Sequence, residues 1–136
     1  MVFLKKEVDL ATPKGTFKLG LFYFRKDRIN LPKCKLKKRV IRKNMGWCND
    51  SRSKKYNREI KFPFKYNAEK LFRKDSQYDL FINIKYNYFP AVKNKGSAIF
   101  LHITNKKATA GCIAISKKNF LKILPLINSK TKISIN

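Results

Sequence analysis

Residues 78–86 read Tyr78-Asp79-Leu80-Phe81-Ile82-Asn83-Ile84-Lys85-Tyr86. Leu80, Ile82, Ile84 and Tyr86 alternate with Asp79, Phe81, Asn83 and Lys85, the period-two pattern of a strand with one face in a core, and Pro90 is expected to end it. After a turn at Lys95-Gly96, Ser97 to Ile103 is apolar on both faces apart from Ser97 and His102, which predicts a strand central in its sheet. Gly111 to Ile115 predicts a third strand. Together these segments set a mainly β reading.

Working outward, residues 12–15, Thr-Pro-Lys-Gly, predict a turn, followed by a strand or hairpin over Thr16 to Phe24 with a break at Gly20. Arg25 to Lys43 is the most basic stretch and has no clean period, so it reads as a long, mostly exposed connection. Gly46-Trp47-Cys48-Asn49-Asp50 is turn-like and carries the single Trp, and Ser51 to Asn57 is loop-forming. Asn67 is a cap for a short helix over Ala68 to Arg73, and Ser116 for a helix from Lys117 to about Leu124 that Pro125 kinks or stops. Thr131 to Ile135 closes the chain as a strand.

The chain has 136 residues, within the range of roughly 100–200 for one domain. A composition 43% hydrophobic and 13% aromatic excludes a disordered polyelectrolyte. The formal charge of +25 attracts polyanions, although abundant Lys, Asn and Ile are also what an AT-rich genome produces, so charge alone names no partner. Cys34, Cys48 and Cys112 are odd in number and lack close Cys-x-x-Cys spacing, which points to neither a disulfide framework nor a metal site. No apolar run approaches the ~20 residues that span a bilayer, and the apolar part of the N-terminus is too short for a secretory signal.

Two segments carry chemistry: Gly96-Ser97-Ala98-Ile99-Phe100-Leu101-His102, with the only histidine, and Thr109-Ala110-Gly111-Cys112-Ile113. Ala98, Phe100 and His102 share one strand face, and Cys112 and Ala114 share one face of the next. If the two strands are neighbours joined by Thr104 to Ala108, an imidazole and a thiol meet on one side of the sheet. A free thiol near pKa 8.5 is mostly protonated at neutral pH, and an adjacent imidazole converts it to the nucleophilic thiolate. Gly111 lets an acyl group approach closely, and backbone N–H groups around Gly111 and Cys112 suit a developing oxyanion. Against this stands the plain alternative that a lone Cys and a lone His on apolar strands are core residues.

The same segments resemble the active-site and nucleophile strands of the L,D-transpeptidase (YkuD-domain) family, and more narrowly a compact proteobacterial branch of it. Thr12 to Phe17, Arg25-Lys26-Asp27-Arg28, Gly46 to Asp50, Tyr56-Asn57, Phe72 to Asp75 and Tyr78-Asp79 resemble further landmarks, so the likeness runs from about Lys5 to the C-terminus. It implies a β-sandwich-like or open-barrel domain with one or two short helices, over residues 1–136, whose opening strand before Lys5 is missing. It implies that Cys112 attacks a carbonyl of a peptidoglycan stem peptide, that His102 takes its proton and then protonates the leaving amine, and that an amine of a second stem resolves the thioester. Water in place of that amine makes a carboxypeptidase or endopeptidase. A monomer in the periplasm or cell wall, without metal, cofactor or nucleic acid, is expected.

The family pattern has a His before the Gly-Cys pair and an Arg two residues after the Cys; here these positions are Ala110 and Ala114. Thr109 stands where a Ser is common, and its hydroxyl is either a partner of the thiolate or a turn residue bonded to local backbone. Arg73 is either a bidentate clamp for a stem-peptide carboxylate or the partner of Asp75 or Asp79. Ser97, Trp47, Tyr56 and Asn57 complete the substrate-side candidates. Two other readings compete: a wall-binding homologue without activity, suggested by Ala110 and Ala114, and a basic nucleic-acid-binding module with Tyr23, Tyr56 and Tyr66 near Lys and Arg.

Overall fold

The computed structural model describes residues 13–88, 90–103 and 113–135. The described part is mainly β, with two sheets and one short helix. The larger sheet takes strands β1 (Gly15–Phe24), β2 (Lys38–Val40), β6 (Leu80–Ile84), β7 (Phe100–Ile103), β8 (Ile113–Ile115) and β9 (Lys132–Ile135) in the order β2-β1-β6-β7-β8, with β9 on the first half of β1. The smaller sheet, β4-β3-β5, takes β3 (Met45–Cys48), β4 (Glu59–Lys61) and β5 (Ala68–Lys70).

Strand alternation sorts the large sheet into two faces. Phe22, Phe24, Leu80, Ile82, Ile84, Ile99, Leu101 and Ile103 point into one core with Phe120 and Leu124 of the helical segment. Tyr23, Phe81, Ala98 and Phe100 point into a second core, shared with Met45, Trp47 and Leu71 of the small sheet. The central position of β7, flanked by β6 and β8, agrees with its expected burial on both faces.

Gly20 does not break the first strand. The pairing of β1 with β6 slips between Leu19 and Phe22, so one extra residue bulges there while the strand continues, and the parity of inward residues changes from Phe17 and Leu19 to Phe22 and Phe24. A Cβ at Gly20 would lie 3.0 Å from the Asn83 side-chain nitrogen, which explains a small residue at the slip. β6 stops at Ile84, well before Pro90; Asn87, at a positive φ of 51°, turns the chain and holds the Val92 N–H and the Val92 and Gly96 carbonyls with its side chain.

Three expectations are corrected. Ala68 to Arg73 forms no helix: Ala68–Lys70 is β5, paired antiparallel with β3 through Trp47↔Glu69, because six residues make a costly helix nucleus while the sheet edge and the buried Leu71 offer long-range contacts. Gly46 to Cys48 is no turn but part of β3, the buried central strand of the small sheet; glycine is required because a Cβ there would sit 2.6 Å from the Phe62 ring. Arg25 to Lys43 is more than an exposed connection: it contributes β2, parallel to β1, and buries Cys34, Leu36 and Ile41 beneath its exposed lysines.

The helix α1 (Lys117–Ile123) forms where expected, its N-terminus capped by Ser116, whose hydroxyl accepts the Asn119 N–H. Pro125 then sits in a 3₁₀ turn, Leu124–Leu126.

Candidate active site

His102 lies on β7, on the face of the second core, and its side chain is almost wholly buried. Its Nδ1 is 2.8 Å from the Ile103 carbonyl oxygen, which only accepts, so Nδ1 carries the proton and the lone pair of the neutral ring is on Nε2. The Tyr78 ring stands edge-on to the imidazole, centroids 5.4 Å apart, and fixes its plane. Burial pushes the His102 pKa below the ordinary 6.5; the bond to Ile103 opposes this, the Arg73 charge adds to it, and Asp75 pulls the other way. The ring is therefore a neutral base at neutral pH.

The loop beside this histidine is held from behind by two arginines. Arg25 packs its guanidinium 3.5 Å over Phe72 and donates to the Arg73 carbonyl, while Arg28 donates to the carbonyls of Lys74 and Asp75. These bonds satisfy three consecutive carbonyls and orient Arg73 with its guanidinium 4.9 Å over the Tyr78 ring. Arg73 itself pairs bidentately with Asp75 through Nε and Nη2, and its Nη1 is 3.9 Å from Glu69. The alternative weighed from sequence, an ion pair with Asp75, is thus present, and Nη1 is the part of the fork directed elsewhere. The Tyr78 hydroxyl donates to Glu69, whose carboxyl is raised above its ordinary range chiefly by burial.

The segment leading into β7 is constrained as tightly. Gly96 has a φ of 113° and Ala98 a φ of 54°, a conformation that costs a residue with a Cβ about 1–2 kcal/mol. Asn57 compensates: its Oδ1 accepts from the Ala98 N–H and from Trp47 Nε1, and its Nδ2 donates to the carbonyls of Tyr86 and Asn87. The Tyr56 hydroxyl accepts the Gly96 N–H. Ser97 is buried between these two anchors. Trp47 is buried as well, edge-on to Phe100 and bonded to Asn57, so it acts as the plug of the second core. Asn57 is the organising residue that sequence reasoning ranked too low; an asparagine closing a polar turn beside a tyrosine was its one signal.

β7 and β8 are parallel neighbours, and Ala114 stands in register with His102. Ile113 and Ile115 pack against the first core, which puts Ala114 on the histidine's face. Thr109, Ala110, Gly111 and Cys112, with the Thr104 to Ala108 connection, lie outside the described residues. The other two cysteines are free and buried, Cys48 with its thiol 3.7 Å from the Asp50 carbonyl. Among the described residues no cluster of His, Cys, Asp and Glu suits a metal ion, and no helix is long and apolar enough to cross a membrane.

β7 and β8 form a parallel pair in which a buried, neutral imidazole stands opposite Ala114, two residues after Cys112 in sequence. Comparison with known protein families matches residues 4–135 to YkuD, the L,D-transpeptidase catalytic domain, and the chain belongs to that family. Its members are cysteine-dependent enzymes that cross-link peptidoglycan, so the domain implies a peptidoglycan substrate. No curated protein and no solved structure matches the chain.

Proposed function

We propose that the protein is a peptidoglycan L,D-transpeptidase of the periplasm or cell wall, with Cys112 as nucleophile and His102 as its base. The observation that carries this reading is the His102 ring, locked by Ile103 with its basic nitrogen at Nε2, beside the strand that follows Cys112 in sequence. The thiol proton passes to Nε2; the thiolate adds to a stem-peptide carbonyl; the tetrahedral adduct collapses to a thioester as the imidazolium protonates the departing amine. An amine on a second stem then attacks the thioester, restoring the thiol and forming the cross-link. Hydrolysis differs only in that water takes the amine's place.

Gly111 allows close approach of the acyl group, and backbone N–H groups around Cys112 stabilise the oxyanion. Thr109, Ala110, Ser97 and the outward edge of Arg73 are the proposed substrate contacts. With alanine at 110 and 114, that contact set is smaller than the common family pattern. The landmark segments resemble those of the compact proteobacterial branch, and the donor acyl group comes from either the third or the first stem residue.

Intact-protein mass spectrometry after incubation with a carbapenem tests the reading. One adduct is expected, lost in Cys112→Ala and kept in Cys34→Ala and Cys48→Ala. No mass gain, or gain at Cys34 or Cys48, overturns it in favour of an inactive wall-binding homologue. Muropeptide analysis of walls with and without the active enzyme then distinguishes a first-position from a third-position donor, and cross-linking from hydrolysis.

A further inference from the structure

The charge of this protein is divided between two residue types. Each of the six described carboxylates, Asp27, Asp50, Glu59, Glu69, Asp75 and Asp79, is paired with an arginine. Arginines partner these carboxylates, from the buried Arg25 to the exposed Arg52, and the lysines are absent from these pairs. The sequence contains no Asp or Glu from residue 28 to 49 or from residue 80 to 136.

Those two acid-free stretches meet on one side of the molecule. Cys34 and Leu36 are buried in the first core, together with Phe120, Leu124 and Ile127. Lys33, Lys35 and Lys37 alternate with them and are exposed. On the helical segment, Lys117, Lys118 and Lys122 are exposed. A surface depression lined by Lys33, Cys34, Lys35, Lys38 and Pro125 joins the two stretches. Leu31, two residues before Lys33, is 62% exposed, and Leu126, next to Pro125, is 79% exposed; Leu121 of α1 is exposed as well.

We propose that this face is a docking surface for an anionic lipid bilayer. Lysines attract phosphate headgroups, each contributing about 1 kcal/mol near a charged membrane. Charge complementarity alone would also suit a soluble polyanion, but exposed leucines gain nothing from one. A headgroup–acyl boundary accommodates both, cations in the polar layer and leucines just beneath it. A nucleic acid would be expected to stack bases on aromatic rings, and the only aromatic side chain of α1, Phe120, is fully buried. The docking face is the first-core face of the sheet, whereas the His102 ring packs against Tyr78 of the second core. Docking in this way turns the histidine face away from the bilayer, toward whatever polymer lies beyond it.

The test is co-sedimentation of the full chain with phosphatidylcholine vesicles, with and without phosphatidylglycerol, at physiological salt. Binding is expected only with the anionic lipid. Lys33→Glu with Lys35→Glu is expected to weaken it about tenfold or more, since each lysine contributes about 1 kcal/mol. Leu31→Ser with Leu126→Ser is expected to weaken it several-fold, and both leucines are too exposed for this to disturb folding. Lys61→Glu with Lys65→Glu, an equal charge change at exposed lysines of the small-sheet region, is expected to change it by less than about twofold if the surface, not net charge, is responsible. Equal losses from the two lysine pairs overturn the proposal in favour of diffuse charge. Indifference to the leucine pair, with equal binding to soluble polyphosphate, overturns it in favour of a polyanion groove. Cys112→Ala is expected to bind vesicles like the wild type, so failure here and failure of the catalytic reading are separable.

Discussion

Ala114 and His102 face each other in register across the parallel pair β7–β8. Were the strand to continue backward by two residues, residue 112 would share the face of residue 114, and the proposed pairing of thiol with imidazole rests on that parity. At pH 7 a thiol without such help is only a few per cent thiolate. His102→Gln is therefore expected to slow alkylation of Cys112 at pH 7 by about tenfold or more, with recovery by about pH 9. Iodoacetamide rates followed by mass spectrometry across pH check this; equal rates in both proteins would sink the assignment of His102 as base.

The histidine's own titration is predicted from its surroundings. Its folded pKa lies below 6.5 chiefly because the ring is buried, so in Cys112→Ala the single histidine resonance is expected to titrate below that value. Arg73→Gln removes a charge that opposes the imidazolium and is expected to move the midpoint upward. For stability the sign follows: between the folded value and 6.5 the unfolded chain binds the extra proton, so stability falls as pH drops through that window. NMR titration and urea unfolding in the two variants are the measurements.

Asn57→Ala removes hydrogen bonds to the Trp47 indole N–H, the Ala98 N–H and the carbonyls of Tyr86 and Asn87. With hydrogen bonds worth about 0.5–1.5 kcal/mol each, a loss of about 2 kcal/mol or more is expected, added to the strain of a positive φ at residue 57. Urea denaturation gives the number. A loss below about 1 kcal/mol would show that Asn57 does not hold the corner before β7.

Gly46→Ala tests the close packing of the small sheet. The added methyl would meet the Phe62 ring at 2.6 Å and Ile60 at 2.9 Å, so a destabilisation of about 1–3 kcal/mol is expected. A thermal midpoint equal to that of the wild type would show that Phe62 swings aside at no cost.

The elements legible in the sequence were those whose signals are local. Leu80 to Ile84 alternates over a whole strand, Ser116 caps its own helix, and His102 was placed on a central strand from the apolar run around it. β3 and β5 were not legible, because Met45–Cys48 and Ala68–Lys70 carry no alternating apolar pattern and become strands only by pairing with each other and with β4. Gly46 misled for the same reason: glycine signals a turn as readily as it signals a ring lying against the backbone. At the site, Tyr78 lies against His102 and bonds Glu69, while Arg25 and Arg28 hold the loop of residues 73–75, an arrangement with no sequence period. The expected meeting of Cys112 with His102 falls outside the described residues.

The slip at Leu19–Phe22 makes β1 a strand of two halves with opposite handedness of inside and outside. Removing a single residue at position 20 or 21 would restore regular pairing with β6, yet one half of the strand would then turn its aromatic rings to the wrong layer. Length at that point is thus specified along with chemistry: a larger side chain at Gly20 would press on Asn83 alone, whereas an insertion or deletion would be felt by both cores at once.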